Sequence, residues 1–174
     1  MPDQHKYASV EWERRFLLDH LPPDANVTRV RRITDRYIDH TNLRLRQQSD
    51  DGNEAVLKLT KKLPVDATGA RQGLITTMYL TQDEFQLLSN LPGKMLRKTR
   101  YSVPPFGIDV FEDALTGLVL AEAEFNSAEE ASVFSIPSFV VREVTEDIRF
   151  TGGELVRASR QELETLLVEF QIRM

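Results

Sequence analysis

Apolar and charged residues alternate along much of this chain, with the period of two that belongs to β-strands. Between Val10 and Leu18 one face carries Val10, Trp12, Phe16 and Leu18, with Arg14 among them. The other carries Glu11, Glu13, Arg15 and then Leu17. The pattern returns. Residues 28–39 mix Arg and Thr with Val, Ile and Tyr and read as a strand. Leu43 to Gln47 alternates apolar and basic, Glu54 to Lys62 sets Lys58, Thr60 and Lys62 on one face, and residues 74–80 are β-branched and rich in Thr. Leu96 to Tyr101 sets Lys98 and Arg100 on one face. Ile108 to Phe111 follows a break at Pro104-Pro105, Leu118 to Phe125 sets Glu122 and Glu124 on one face, and residues 139–150 read as one more strand. Asp39 to Asn42 reads as a turn and Ser49 to Asn53 as a hairpin. Residues 64–73 read as loop, and residues 19–27, broken by Pro22-Pro23, as loop or short helix.

Three capping boxes open helices: Thr81 with Glu84, Ser127 with Glu130, and Ser159 with Glu162. The first carries Phe85, Leu88 and Leu91 and stops at Pro92-Gly93; the last carries Leu163, Leu166, Leu167 and Phe170 at helical spacing. Gly152-Gly153 reads as a turn. With no internal repeat and no linker, residues 1–174 read as one domain. About eight antiparallel strands of this length favour a closed barrel, so the expected class is α+β, mainly β, with flanking helices. The charged faces could point outward, or inward into a wet tunnel while helices cover the apolar side. Spacing alone leaves both open. A dry interior could not hold so many ionised groups.

Composition narrows the chemistry. The chain has 174 residues, 41% hydrophobic and 28% charged, enough for a globular core. No run of eighteen apolar residues suggests a membrane span, and the first residues lack the apolar region of a secretory signal. Cysteine is absent, which excludes thiol catalysis and fits a cytoplasmic protein. A net charge of −5 argues against general nucleic-acid binding. Yet Arg is concentrated in residues 28–46 and Asp and Glu in residues 109–130, which points to a specific anionic ligand. His5, His20 and His40 lack ligand spacing, and no Ser has a His and Asp to activate it. Glu11 and Glu13 lie about 7 Å apart along a strand, and such carboxylate pairs suit a hard divalent cation, Mg²⁺ or Mn²⁺. Several Arg and Lys match a polyanion such as a triphosphate. Metal and basic groups together are what phosphoryl transfer needs, and this favours the tunnel.

Glu11-x-Glu13-x-Arg15 resembles the ExExK signature of the CYTH superfamily, the triphosphate tunnel metalloenzymes. Other segments match in order: Leu43-Arg44-Leu45-Arg46, the Lys-rich strand at 58–62, Lys98-Thr99-Arg100-Tyr101, Asp109-Val110-Phe111, Gly117 to Glu124, and Val144-Thr145-Glu146-Asp147-Ile148-Arg149-Phe150. The resemblance implies an eight-stranded antiparallel tunnel, a small-molecule triphosphate substrate and Mg²⁺ or Mn²⁺. Family activities are inorganic, thiamine and RNA triphosphatase and adenylate cyclase. By position it implies metal at Glu11, Glu13, Asp109, Glu122 and Glu124, and phosphate at Arg15, Arg44, Arg46, Lys58, Lys62, Lys98 and Arg100. Arg15, Glu11 and Glu13 would serve catalysis. A metal-dependent triphosphatase is therefore expected, with neither nucleic acid nor membrane as partner; a homodimer is compatible. The alternatives are a binding protein without turnover and a cyclase. Two departures stand out. The signature lysine is Arg15, and the strand at 73–79 has no acidic pair. Arg15 is then expected to clamp phosphate, turnover to be slow, and Arg15→Lys to leave turnover equal or raise it.

Overall fold

The computed structural model describes residues 6–50, 53–64 and 72–172. Among the described residues nine antiparallel strands form one sheet that closes on itself: β1 (Ser9–Leu18), β2 (Arg29–Ile38), β3 (Leu43–Ser49), β4 (Val56–Pro64), β5 (Gln72–Tyr79), β6 (Gly93–Val103), β7 (Phe106–Phe111), β8 (Val119–Phe125) and β9 (Arg142–Glu143). The order is β5-β4-β3-β2-β6-β7-β8-β1-β9, and β5 returns to β1. Closure runs from Ser9 opposite Ile75 to Trp12 opposite Gln72. Further along, the same edge of β1 is taken by β9, with Phe16 opposite Glu143. The eight long strands thus make the expected mainly β barrel. Residues 51 and 52 of the Ser49–Asn53 hairpin, and 65–71 of the loop at 64–73, lie outside the described residues.

Register decides which face points inward. Opposed residues share a face, and Arg15 is opposite Glu122, Asp35 opposite Arg46, and Arg100 opposite Asp109. The charged faces therefore turn into the barrel, as the tunnel reading required. The outer apolar face of β1, β7 and β8 is Phe16, Leu18, Phe106, Ile108 and Val119, packed under Phe134, Phe139 and Val140. Phe106 meets Phe134 and Phe139 edge-on at 5.6 and 5.7 Å between centroids. Arg14, the misfit of that face, is used as a clamp. Its guanidinium grips the Glu143 carboxylate, donates to the carbonyls of Ala131 and Phe134, and lies over the Phe16 ring.

A second core fills one end of the barrel. Leu17, Leu96, Phe111 and Leu120 pack against Phe150, Leu155, Leu163 and Leu167. Phe150 comes from the single 3-10 turn Ile148–Phe150, Leu155 from helix α3 (Gly152–Leu155), and Leu163 and Leu167 from α4 (Arg160–Glu169); α1 (Gln82–Ser89) and α2 (Ala128–Val133) precede them. Both reciprocal bonds of the capping box form at Thr81 and at Ser159. Ser127 caps the Glu130 amide, but the Glu130 carboxylate turns to Asn126 instead. No helix of the described residues is long and apolar enough to cross a membrane.

Two local expectations are corrected. Residues 139–150 hold only the two-residue strand β9, because the chain turns at Asp147, whose amide donates to Val144 O and whose carboxylate caps the Arg149 amide. That turn sends Val144 and Phe150 into the end core. Gly152-Gly153 opens α3 rather than a turn. A Cβ on Gly152 would stand 1.9 Å from the Tyr37 hydroxyl, so only glycine lets the helix approach this closely.

Candidate active site

The barrel encloses a cavity of about 510 Å³. From β1 come Glu11, Glu13 and Arg15; from β8, Glu122 and Glu124; from β3, Arg44 and Arg46; from β4, Lys62; and from β6, Lys98 and Arg100. Ten of the expected site residues therefore share one cavity. Two do not line it. Lys58 faces the same way but places its ammonium over the Tyr79 ring. Asp109 is fully buried behind the cations.

Each cation is held by an acid. Asp109 accepts from Arg100 Nε and Nη2, both at 2.6 Å, and also from Lys98 Nζ. Arg100 Nη2 reaches on to Glu122. Asp35, also fully buried, mirrors this on β2: Arg46 Nε and Nη2 donate to it at 2.6 and 2.7 Å, and Arg44 Nε stands 3.8 Å away. Bidentate pairing of this kind fixes the plane of the guanidinium. Burial alone would raise the Asp35 carboxyl, but Arg44 and Arg46 outweigh it and hold it below its ordinary value. Asp35 and Tyr37 were missed in the sequence. They share the inward face of β2 with Arg31 and Ile33, and a period-two reading of residues 29–38 would have found them.

The acidic wall is crowded. Glu13 stands directly opposite Glu124 on the neighbouring strand, and Glu122 is one place along. Burial and the Glu122 charge push the Glu13 carboxyl up to about 7, against the opposing pull of Lys62 and Arg15. Burial works the same way on Glu122, but Arg100, Lys98 and Arg15 prevail and hold it well below the carboxylate range. Paired carboxylates on adjacent strands, one of them under like-charge pressure, are the donor type that a hard divalent cation takes. Among the described residues no three acidic or histidine side chains gather around one point, so such an ion would complete its shell with oxygens from substrate or water.

Arg15, expected to clamp phosphate, lines the cavity and is also engaged within the fold. Its Nη1 donates to Phe150 O at 2.9 Å, its Nη2 to Thr145 O at 3.4 Å, and its Nε lies 3.0 Å from Glu13 Oε1. It ties the end core to Glu13. On β5 the inward positions are Gly73, Ile75, Thr77 and Tyr79, given by their partners across the sheet. With no acid there, Lys62 crosses to Glu11, 2.5 Å from Oε2.

No family model matches the chain. Over 154 residues it is 35% identical to an inorganic triphosphatase of Nitrosomonas europaea, which covers 83% of this chain and 95% of that protein. The chain belongs to the CYTH superfamily. The CYTH barrel also matches a crystal structure of the inorganic triphosphatase NE1496, with a TM-score of 0.55 and 27% identity over 85% of this chain and 95% of the other. A second crystal structure, of the hypothetical protein NE1496, matches with a TM-score of 0.56 and 28% identity over 86% and 99%.

Asp35→Asn tests the buried pairs of this CYTH barrel. Removing one partner of a buried ion pair costs about 3–5 kcal/mol, read as a drop in urea-unfolding stability. The sign with pH follows from the depressed carboxyl. Its contribution is complete above the unfolded Asp value of about 3.9 and is lost as pH falls through the lower folded value. The Asn variant should therefore lose less stability on acidification than the parent. A loss below about 1 kcal/mol, with an unchanged acid limb, would contradict the role given to Asp35.

Proposed function

We propose that this protein is a metal-dependent triphosphatase, cleaving the phosphoric anhydride of a linear triphosphate with inorganic tripolyphosphate as its substrate. The observation that carries the reading is the cavity: Arg44, Arg46, Lys62, Lys98 and Arg100 face a wall of paired glutamates inside one closed barrel. The inorganic triphosphatase relative, alike over most of both chains, supports it.

Arg44, Arg46, Lys98 and Arg100 take phosphate oxygens, with the guanidinium planes of Arg46 and Arg100 set by Asp35 and Asp109, and Lys62 takes an oxygen nearer the acidic wall. Glu11, Glu13, Glu122 and Glu124 would hold Mg²⁺ or Mn²⁺, which supplies charge neutralisation and an activated water. Asp109 is placed behind Lys98 and Arg100 as their anchor. Glu11 and Glu13 would also orient the attacking water, positioning and base help of this kind being worth about 10²–10⁴-fold. Arg15 holds Glu13 in place. The absence of cysteine supports action in the cytoplasm. The acid-free β5 favours one second reading, a protein that binds triphosphate and turns it over slowly.

A phosphate-release panel tests this, with tripolyphosphate, ATP and thiamine triphosphate, each with Mg²⁺ and with Mn²⁺. The expected result is metal-dependent release from tripolyphosphate. Binding without release would establish the second reading, and pyrophosphate release from ATP would indicate a cyclase. Arg15→Lys gives a finer test. Lysine cannot reach Phe150 O, Thr145 O and Glu13 together, so stability should fall by roughly 1–3 kcal/mol. With Glu13 loosened, kcat should fall about tenfold or more while KM changes little. Equal or higher turnover, as the sequence suggested, would return Arg15 to the role of a phosphate clamp.

A further inference from the structure

Exposed residues that also line the cavity mark where it opens to solvent. Asp39, Thr41 and Asn42 belong to the turn between β2 and β3, Lys94 to the start of β6, and Glu154 and Arg157 to α3 and the residues just after it. All six are exposed and line the cavity. They lie at the barrel end that the Phe150 core occupies, but on another side of it. That core packs on Leu17, Leu96, Phe111 and Leu120 of β1, β6, β7 and β8, and draws nothing from β3 or the β2–β3 turn. Toward the opposite end, Arg31, Gln48, Lys58, Tyr79 and Ser102 turn inward by register, yet none of them lines the cavity. There the wall is Glu124, one residue from the end of β8.

α3 forms one lip of this opening, and its two glycines differ. A Cβ on Gly152 would strike the Tyr37 hydroxyl, so Gly152 lets α3 dock on β2. Gly153 also lines the cavity, yet a Cβ there would meet no atom within 4 Å outside its own stretch of chain. Packing therefore does not require glycine at 153, and glycine in a helix is unfavourable relative to alanine. What the bare position does is leave space at the lip. Behind it stand Arg44, near the start of β3, and Lys62, near the end of β4, so an incoming anion meets cations at once. We propose that triphosphate enters through this mouth, between α3 and the β2–β3 turn, and that Gly153 keeps it open. The inference rests on the reading of the cavity as the substrate's site and adds the way in.

The chain has no cysteine, so one can be placed inside it as a reporter. Thr60 lines the cavity on β4, directly opposite Arg44, and Thr60→Cys is close to isosteric. Its labelling by a small anionic thiol reagent, 2-sulfonatoethyl methanethiosulfonate, reads access and needs no turnover. Adding Gly153→Trp should slow labelling about tenfold or more, because an indole fills the open space, whereas Gly153→Ala should slow it less than about twofold. Asn42→Trp, exposed on the facing lip, should slow it as well, and decides the question if Gly153→Trp does not fold. In the chain with Thr60 restored, Gly153→Trp should lower kcat/KM for tripolyphosphate about tenfold through slower association, with a melting temperature close to the parent's. Labelling that neither tryptophan slows would overturn the inference and put the entrance at the Glu124 end. So would a Thr60→Cys protein that the reagent does not reach at all. Slowed labelling in a protein that releases phosphate from no triphosphate keeps the mouth and ends the triphosphatase reading.

Discussion

Asp35 and Asp109, both shut off from solvent, hold the cationic wall of this barrel in place. Each accepts a bidentate arginine from the opposed position on a neighbouring strand and a second cation two residues away. Like charges lining a cavity would otherwise swing apart or out to water. With the aspartates beneath them the guanidiniums are fixed before any anion arrives, so less ordering is left for binding to accomplish. The geometry resembles preorganised electrostatic catalysis, where the groups that meet developing charge are already oriented. Two buried carboxylates thus account for both the stability of a charged interior and its use.

β1 connects that interior to the rest of the fold. Its successive arginines point opposite ways. Arg14 clamps the outer cover through Glu143, Ala131 and Phe134, and Arg15 reaches through the inner face to Phe150 and Thr145. The segment from Val141 to Phe150 is therefore sewn to β1 on both sides of the sheet, and backbone bonds from Val141 to Leu17 and from Val144 to Arg15 complete the seam. The Phe150 end core closes around this seam. The strand that carries the acidic signature is consequently among the best braced in the molecule, as a strand that must present Glu11 and Glu13 at fixed positions requires.

The period-two pattern made most of the fold legible. Every charged position read as one face of a strand turns inward, from Glu11 to Glu124, and the three capping residues open helices where expected. What failed was local. Residues 139–150 have strand-like composition, but Asp147 caps a turn there, and a side chain-to-backbone bond three residues from Val144 does not show in periodicity. Asp35 is hard to see in the sequence because it is a lone acid among the many arginines of residues 28–39. Arg31 and Asp35 were inward all along, while Arg32 and Arg36 point out. The Arg15 contacts to Phe150 and Thr145 depend on a tertiary approach over 130 residues of chain, which no local pattern encodes.

The central claim is that triphosphate lies inside the barrel, on cations already set by Asp35 and Asp109. A crystal structure with a non-hydrolysable tripolyphosphate analogue and Mn²⁺ tests it most directly. The account predicts phosphate oxygens on Arg44, Arg46, Lys98 and Arg100, with both aspartate pairs intact and the cation against the glutamates of β1 and β8. An analogue bound on the outer surface, or bound inside only after the Asp35 and Asp109 pairs have broken, would contradict it.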